Sequence, residues 1–170
     1  MYLCESNKKI QEMKNYSFWI ILIAIGLSSC LNAQQPDNKK PMYGEVPKSE
    51  HHKKIDAEFI VRCLETFGTI DSAVQVHIAF GWDYFCYNDL ITSMKRFNQA
   101  WLLDSECPDV YFAFSALMEA QGNTKEAERF DKIGQEKDVT KERAKVCYEQ
   151  IEFCKEQWKR KEQWENEQKR

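Results

Sequence analysis

HIAFGWDYFCYNDLITSMKRFNQAWLLDSECPDVYFAFSALMEAQGNTKEAERF, residues His77 to Phe130, decides the fold of this chain. It holds one pattern twice. His77, Phe80, Gly81, Tyr84, Asn88 and Ser93 return as Tyr111, Phe114, Ser115, Met118, Gly122 and Ala127, each 34 residues later (111 − 77 = 34, 127 − 93 = 34). A fixed period of that length marks stacked helix–turn–helix units, because each unit can bury its apolar face only against a neighbour.

Within the first copy, Val74, Ile78, Gly81, Trp82, Tyr84 and Phe85 follow helical spacing, and Tyr87-Asn88-Asp89 supplies a turn. Leu90, Met94, Phe97, Ala100, Trp101 and Leu103 form a second apolar stripe. The unit therefore runs from about Asp71 to Asp104. In the second copy Pro108 opens a helix at the position where a missing N–H costs nothing. Tyr111, Phe112, Phe114 and Leu117 continue the packing, and Gly122-Asn123-Thr124 makes the turn.

Gly81, Tyr84, Phe97 and Ala100 give this pattern its resemblance to the tetratricopeptide repeat (TPR). The resemblance implies an all-α fold: a right-handed stack of antiparallel helix pairs with flanking capping helices. Gly81 lets paired helices approach, Ala100 does the same between units, and Tyr84 and Phe97 fill the space around them. Ser115, Met118 and Ala127 are the matching packing positions of the second copy. His77 and Ser93 depart from the family's Trp and Ala. The second copy is degenerate in its trailing helix, where Asp131 and Gly134 replace an aromatic residue and an alanine, with Phe130 as a partial substitute. A further 34 residues bring no third copy, since Glu149 and Glu152 fall where Gly81 and Tyr84 stood.

Helices on either side are expected to close the stack. Ile55, Phe59, Ile60, Cys63, Leu64 and Phe67 form one stripe that ends at Gly68. Ala144, Cys147, Tyr148, Ile151, Cys154 and Trp158 form another between about Thr140 and Trp158. The helical domain thus spans 55–158, followed by a charged helical tail over 159–170.

In TPR domains the leading helices line a concave face. Carried over by position, that face comprises Gln75, Ile78, Trp82, Phe85 and Cys86 in the first unit. Asp109, Phe112, Ala116, Glu119 and Ala120 supply it in the second. It is apolar with acidic edges and lacks the basic cluster that clamps a peptide carboxylate. With so few repeats, a flanking helix can instead fold over it.

The N-terminal third carries an address. Phe18 to Leu27 is a ten-residue apolar run preceded by Lys14 and followed by small residues. At roughly 1.5 Å per residue it covers about half of a bilayer core, the dimensions of a secretory signal peptide. Leu27-Ser28-Ser29-Cys30 resembles a bacterial lipobox, which implies cleavage before Cys30 and lipidation of its thiol. Residues 1–29 are then the signal peptide, and Met13-Lys14-Asn15 would make a typical start, so that 1–12 can be an over-extended gene start. Residues 30–54 contain Pro36, Pro41 and Pro47 with few apolar residues, and read as a disordered tether. The expected address is the cell envelope, lipid-anchored, taken as the outer membrane facing the periplasm.

The net charge of −3 gives no electrostatic case for nucleic acid. No nucleophile elbow or phosphate-cradling loop is present, and His77 is the one histidine inside the repeat region, where packing explains it better than catalysis. An enzyme, a metal site and a cofactor are not expected. His51-His52 are neighbours that cannot share a helix face. Five cysteines remain beyond Cys30 in the domain: Cys63, Cys86, Cys107, Cys147 and Cys154. Cys147 and Cys154 lie two helical turns apart, about 10 Å, too far to pair with each other. Small buried apolar roles are favoured for the five, with a long-range disulfide as the alternative. The expected function is an interaction or assembly module that docks another envelope protein or peptide segment, with a structural, self-associating protein as the alternative.

Overall fold

The computed structural model describes residues 35–169, so the expected signal peptide and Cys30 lie outside the described residues. Among those described, the chain forms six α-helices and no strand: α1 (Glu50–Phe67), α2 (Ile70–Cys86), α3 (Leu90–Leu103), α4 (Pro108–Ala120), α5 (Thr124–Lys137) and α6 (Glu142–Gln168). None is long and apolar enough to cross a membrane.

The 34-residue period is visible in the backbone. Helix α2 ends with Asn88 in the left-handed region at φ 63°, and α4 ends with Gly122 at φ 78°. At both ends the chain reverses through one pair of hydrogen bonds. Asn88 N–H donates to Phe85 O and Asp89 N–H to Tyr84 O; Gly122 N–H donates to Glu119 O and Asn123 N–H to Met118 O. These satisfy carbonyls that the helix leaves unpaired, which is why a residue tolerant of positive φ is needed there. The next residue caps the following helix in each case. Asp89 accepts from Thr92 N–H at 3.0 Å and Asn123 from Glu126 N–H at 3.4 Å, a cap typically worth about 1 kcal/mol.

Each turn folds a helix back on its predecessor, giving hairpins α2–α3 and α4–α5. Gly81 carries no Cβ because one would sit 2.4 Å from Phe97 Cε1 on α3. Ser93 is more than a tolerated size at an alanine position, since its Oγ donates to Gly81 O at 2.9 Å and fixes the register of the first hairpin. In the second hairpin the close approach is made by Gly134, whose Cβ would lie 2.8 Å from Phe112 Cε1. Phe130 is fully buried against Phe114, with ring centroids 5.4 Å apart. Asp131, at the vacated aromatic position, accepts from Tyr148 Oη at 2.5 Å. Between the hairpins, Trp101 Nε1 donates to Tyr111 Oη, which donates to Ser105 O.

The expected packing residues Gly81, Phe97, Ala100, Met118 and Ala127 are buried, while Tyr84 and Ser115 are half-buried. Helix α1 packs on α2 through Phe59 and Phe67, whose rings stand 5.5 and 6.2 Å from His77. Cys63 Sγ lies 3.7 Å from His77 Nε2.

The stretch before α1 differs from the expected tether. Ser49 caps α1 through His52 N–H, so the helix starts at Glu50, before the apolar stripe. From Asp37 the chain lies against α3. Buried Asn98 donates through Nδ2 to Asn38 O and Lys40 O at 3.0 and 2.8 Å. Met42, Tyr43, Gly44 and Glu45 all have positive φ, a left-handed turn. It is held by Tyr43 against Trp101 and by Glu45 paired with Arg129. The tether reading therefore does not hold for residues 37–54. Asn98 needs partners for its buried amide, and this segment's carbonyls supply them.

Candidate functional site

The face expected to bind a partner is built by the leading helices α2 and α4, and α6 lies across both. Five of its seven principal residues, Ile78, Trp82, Phe85, Asp109 and Phe112, are buried. Gln75 and Glu119 stay exposed at its rim. An open groove on this face is thus corrected: the flanking helix occupies it.

The contacts of α6 run in order along its length. At its start Arg143 forks onto Asp109, Nε donating to Oδ1 at 2.8 Å and Nη2 to Oδ2. The Asp109 side chain is 3% exposed and that of Arg143 43%. A carboxylate in the first turn of α4 is also favoured by the helix dipole. Asp138, buried in the preceding linker, accepts from Ala144 N–H at 2.9 Å and caps this end of α6. Next, Tyr148 stacks edgewise on Phe112 at 5.7 Å. Ile151 is buried. Cys154 forms a disulfide with Cys86, Cα to Cα 4.4 Å, across 68 residues of sequence. Finally Trp158 packs on Phe85 at 4.8 Å and donates its indole N–H to the carbonyls of Phe85 and Cys86, both at 3.0 Å. Those carbonyls lie at the C-terminal end of α2, where helices lack their own donors.

The disulfide corrects the apolar assignment of Cys86 and Cys154. Cys63 and Cys147 are buried and free, and Cys107 is half-buried and free. Burial pushes the Cys107 thiol up to about 11 and the Cys147 thiol up to about 12, each raised further by Asp109. Both therefore stay protonated at neutral pH, and a protonated thiol is a poor nucleophile and metal ligand. Burial, with Arg96, lowers the pKa of His77, which keeps it neutral among aromatic rings. Among the described residues no cluster of three or more His, Cys, Asp or Glu side chains could hold a metal ion.

Two clefts flank the seated helix. One, of about 440 Å³, lies where α4, α5 and α6 meet, with Ser115, Glu119, Ala127, Asp131, Tyr148 and Lys155 among its walls. Lys155 bridges it by pairing with Glu119 at 3.2 Å. The other, of about 410 Å³, opens beside Cys86 between α2 and α6. Comparison with family models, curated proteins and solved structures finds no match for this chain.

The sequence did not reveal which side chains hold α6. Arg143 carried no signal beyond being a charge near a helix start, and the Cys86–Cys154 pair was hidden in an odd set of five. Their spacing offered a faint one, since 154 − 86 = 68 is twice the repeat period.

Proposed function

We propose that this chain is a non-catalytic interaction module of tetratricopeptide-repeat type, carried to the bacterial cell envelope by a lipid on Cys30. Its α2/α4 face, when α6 leaves it, docks an amphipathic helix of another envelope protein. The observation that carries this reading is the seating of α6. That helix spans two successive leading helices and presents, in order, a guanidinium for Asp109, an aromatic ring for Phe112, aliphatic bulk, and an indole for Phe85. A partner helix with Arg, Tyr or Phe, Ile and Trp at that spacing meets the same demands. The 34-residue recurrence of turn and cap geometry supports the repeat assignment.

A photo-crosslinking residue in place of Glu119, on the exposed rim, tests the docking in living cells. A cross-link to a distinct envelope protein, lost when Asp109→Arg repels the incoming guanidinium, is the expected result. Cross-links confined to a second copy of the chain would replace docking by self-association. Labelling with a palmitate analogue, with Cys30→Ala as control, checks the address.

A further inference from the structure

The structure assigns a second role to the Cys86–Cys154 disulfide: we propose that it is a thiol–disulfide exchange site whose reduction by a dithiol releases α6 from the α2/α4 face. The proposal rests on the reading of that face as the docking surface. It deepens that reading by supplying the step that uncovers the face.

The two sulfurs are unequally placed. Cys154 is fully buried between α6 and α2, whereas Cys86 is half-buried and lines the cleft of about 410 Å³ with Asp83, Tyr87, Phe153, Gln157 and Lys161. Gln150 lines the cleft too, its Nε2 3.8 Å from Cys86 Sγ and 3.5 Å from Cys154 Sγ, and Lys161 stands in the same wall; attack is assigned to Cys86 because Cys154 is fully buried. The exchange balances as a two-electron transfer. A thiolate of the dithiol bonds to Cys86 Sγ and breaks the bond to Cys154, which leaves as thiolate and takes a proton. The second thiol of the reductant then attacks its own sulfur in the mixed disulfide and expels Cys86, which is protonated in turn. The reductant departs as a disulfide, and the chain holds two thiols.

What remains after reduction is a helix held at its start by Arg143, 43% exposed in its side chain, along its middle by Tyr148 on Asp131 and Lys155 on Glu119 with Cys147 and Ile151 buried, and beyond them by the indole N–H of Trp158. The linker that would act as hinge is short: buried Asp138 opens it, Val139 is 92% exposed, and Lys141 sits in the left-handed region at φ 58°. With the disulfide intact, α6 can leave only if α2 comes with it. With it broken, departure requires the loss of the Arg143 and Lys155 ion pairs and of the Cys147, Tyr148, Ile151 and Trp158 contacts, and no covalent change.

The test uses the full chain in detergent, with hydrogen exchange read helix by helix, and a fluorescent peptide of residues 142–168 carrying Cys154→Ser as the probe ligand. With dithiothreitol, α6 amides should exchange at least about tenfold faster while α4 and α5 keep their protection. Apparent affinity for the probe should rise by the same factor, because it scales with the open fraction. The chain with Cys86→Ser and Cys154→Ser should behave as the reduced protein without any reductant. Equal α6 exchange in oxidised and reduced chains overturns the latch, as does a rise spread evenly over all helices, which means global unfolding. A reductant response that persists in the double variant overturns its assignment to this pair. Faster α6 exchange without probe binding supports the latch and overturns the docking reading instead.

Discussion

The two hairpins solve one packing problem with opposite residues. In α2–α3 the glycine is on the leading helix and the ring on the trailing one, Gly81 beneath Phe97. In α4–α5 the ring is on the leading helix and the glycine on the trailing one, Phe112 above Gly134. The second hairpin looks degenerate only if each position must keep its residue type. What is preserved is one glycine facing one phenylalanine across each pair. Their hold on α6 differs too. The first hairpin grips it covalently and through an indole, the second through an ion pair and the hydroxyl of Tyr148. A repeat can therefore drift in sequence while the backbone turn, with Asn88 and Gly122 at matching places, stays fixed.

Breaking the covalent grip has the largest expected effect. For a loop of 68 residues the chain-entropy estimate is about 4 kcal/mol. The Cys86→Ser, Cys154→Ser chain should lose that much in urea titration, and a loss below about 1 kcal/mol would show that this disulfide adds little. Next come the glycines. Gly81→Ala should cost about 3 kcal/mol, since overpacking outweighs the helix-propensity gain of up to about 1 kcal/mol. Gly134→Ala, with its longer contact of 2.8 Å, should cost about 2 kcal/mol. Combining Gly81→Ala with Phe97→Leu should recover part of the loss, whereas adding Phe97→Leu to Gly134→Ala should recover none. Equal recovery in both would erase the distinction between the hairpins.

Arg143→Ala removes the polar grip of the second hairpin and strands a buried carboxylate. Because Arg143 is partly solvated, about 1.5 kcal/mol is expected, measurable by thermal unfolding at constant pH. The smallest effect lies outside both hairpins, at His77 under α1. Its pKa is lowered in the folded chain, so the unfolded state binds the proton more readily. The stability this contributes is present above the ordinary histidine value of 6.5 and is lost as pH falls through that value toward the lower folded pKa. His77→Phe should flatten the stability profile in that window. An unchanged profile would place the titration elsewhere.

Much of this was legible because local rules sufficed. Tyr87-Asn88-Asp89 and Gly122-Asn123-Thr124 announced turns, and Pro108 announced a helix start. The stripe from Ala144 to Trp158 announced a buried face, but not what it is buried against, since an apolar stripe fits any apolar surface. The partner became definite only through Arg143 on Asp109 and Cys154 on Cys86, contacts between residues 34 and 68 apart that no local pattern encodes. The start of α1 was missed because His51, His52, Lys53 and Lys54 hide a helical turn beneath polar side chains. The segment from Asp37 was missed because its hold is long-range: its carbonyls accept from Asn98 Nδ2, Tyr43 lies on Trp101 and Glu45 pairs with Arg129.

The disulfide has a mechanical meaning as well. It closes a ring that runs from the end of α2 through α3, α4 and α5 to the middle of α6. A force drawn between residues 35 and 169 passes from Cys86 straight to Cys154 and leaves that ring unloaded. Its 68 residues, about 230 Å of extended chain at roughly 3.4 Å each, stay out of reach of the pull until the bond is reduced. Stretched under oxidising and then reducing conditions, the same molecule should be a short rope and then a long one.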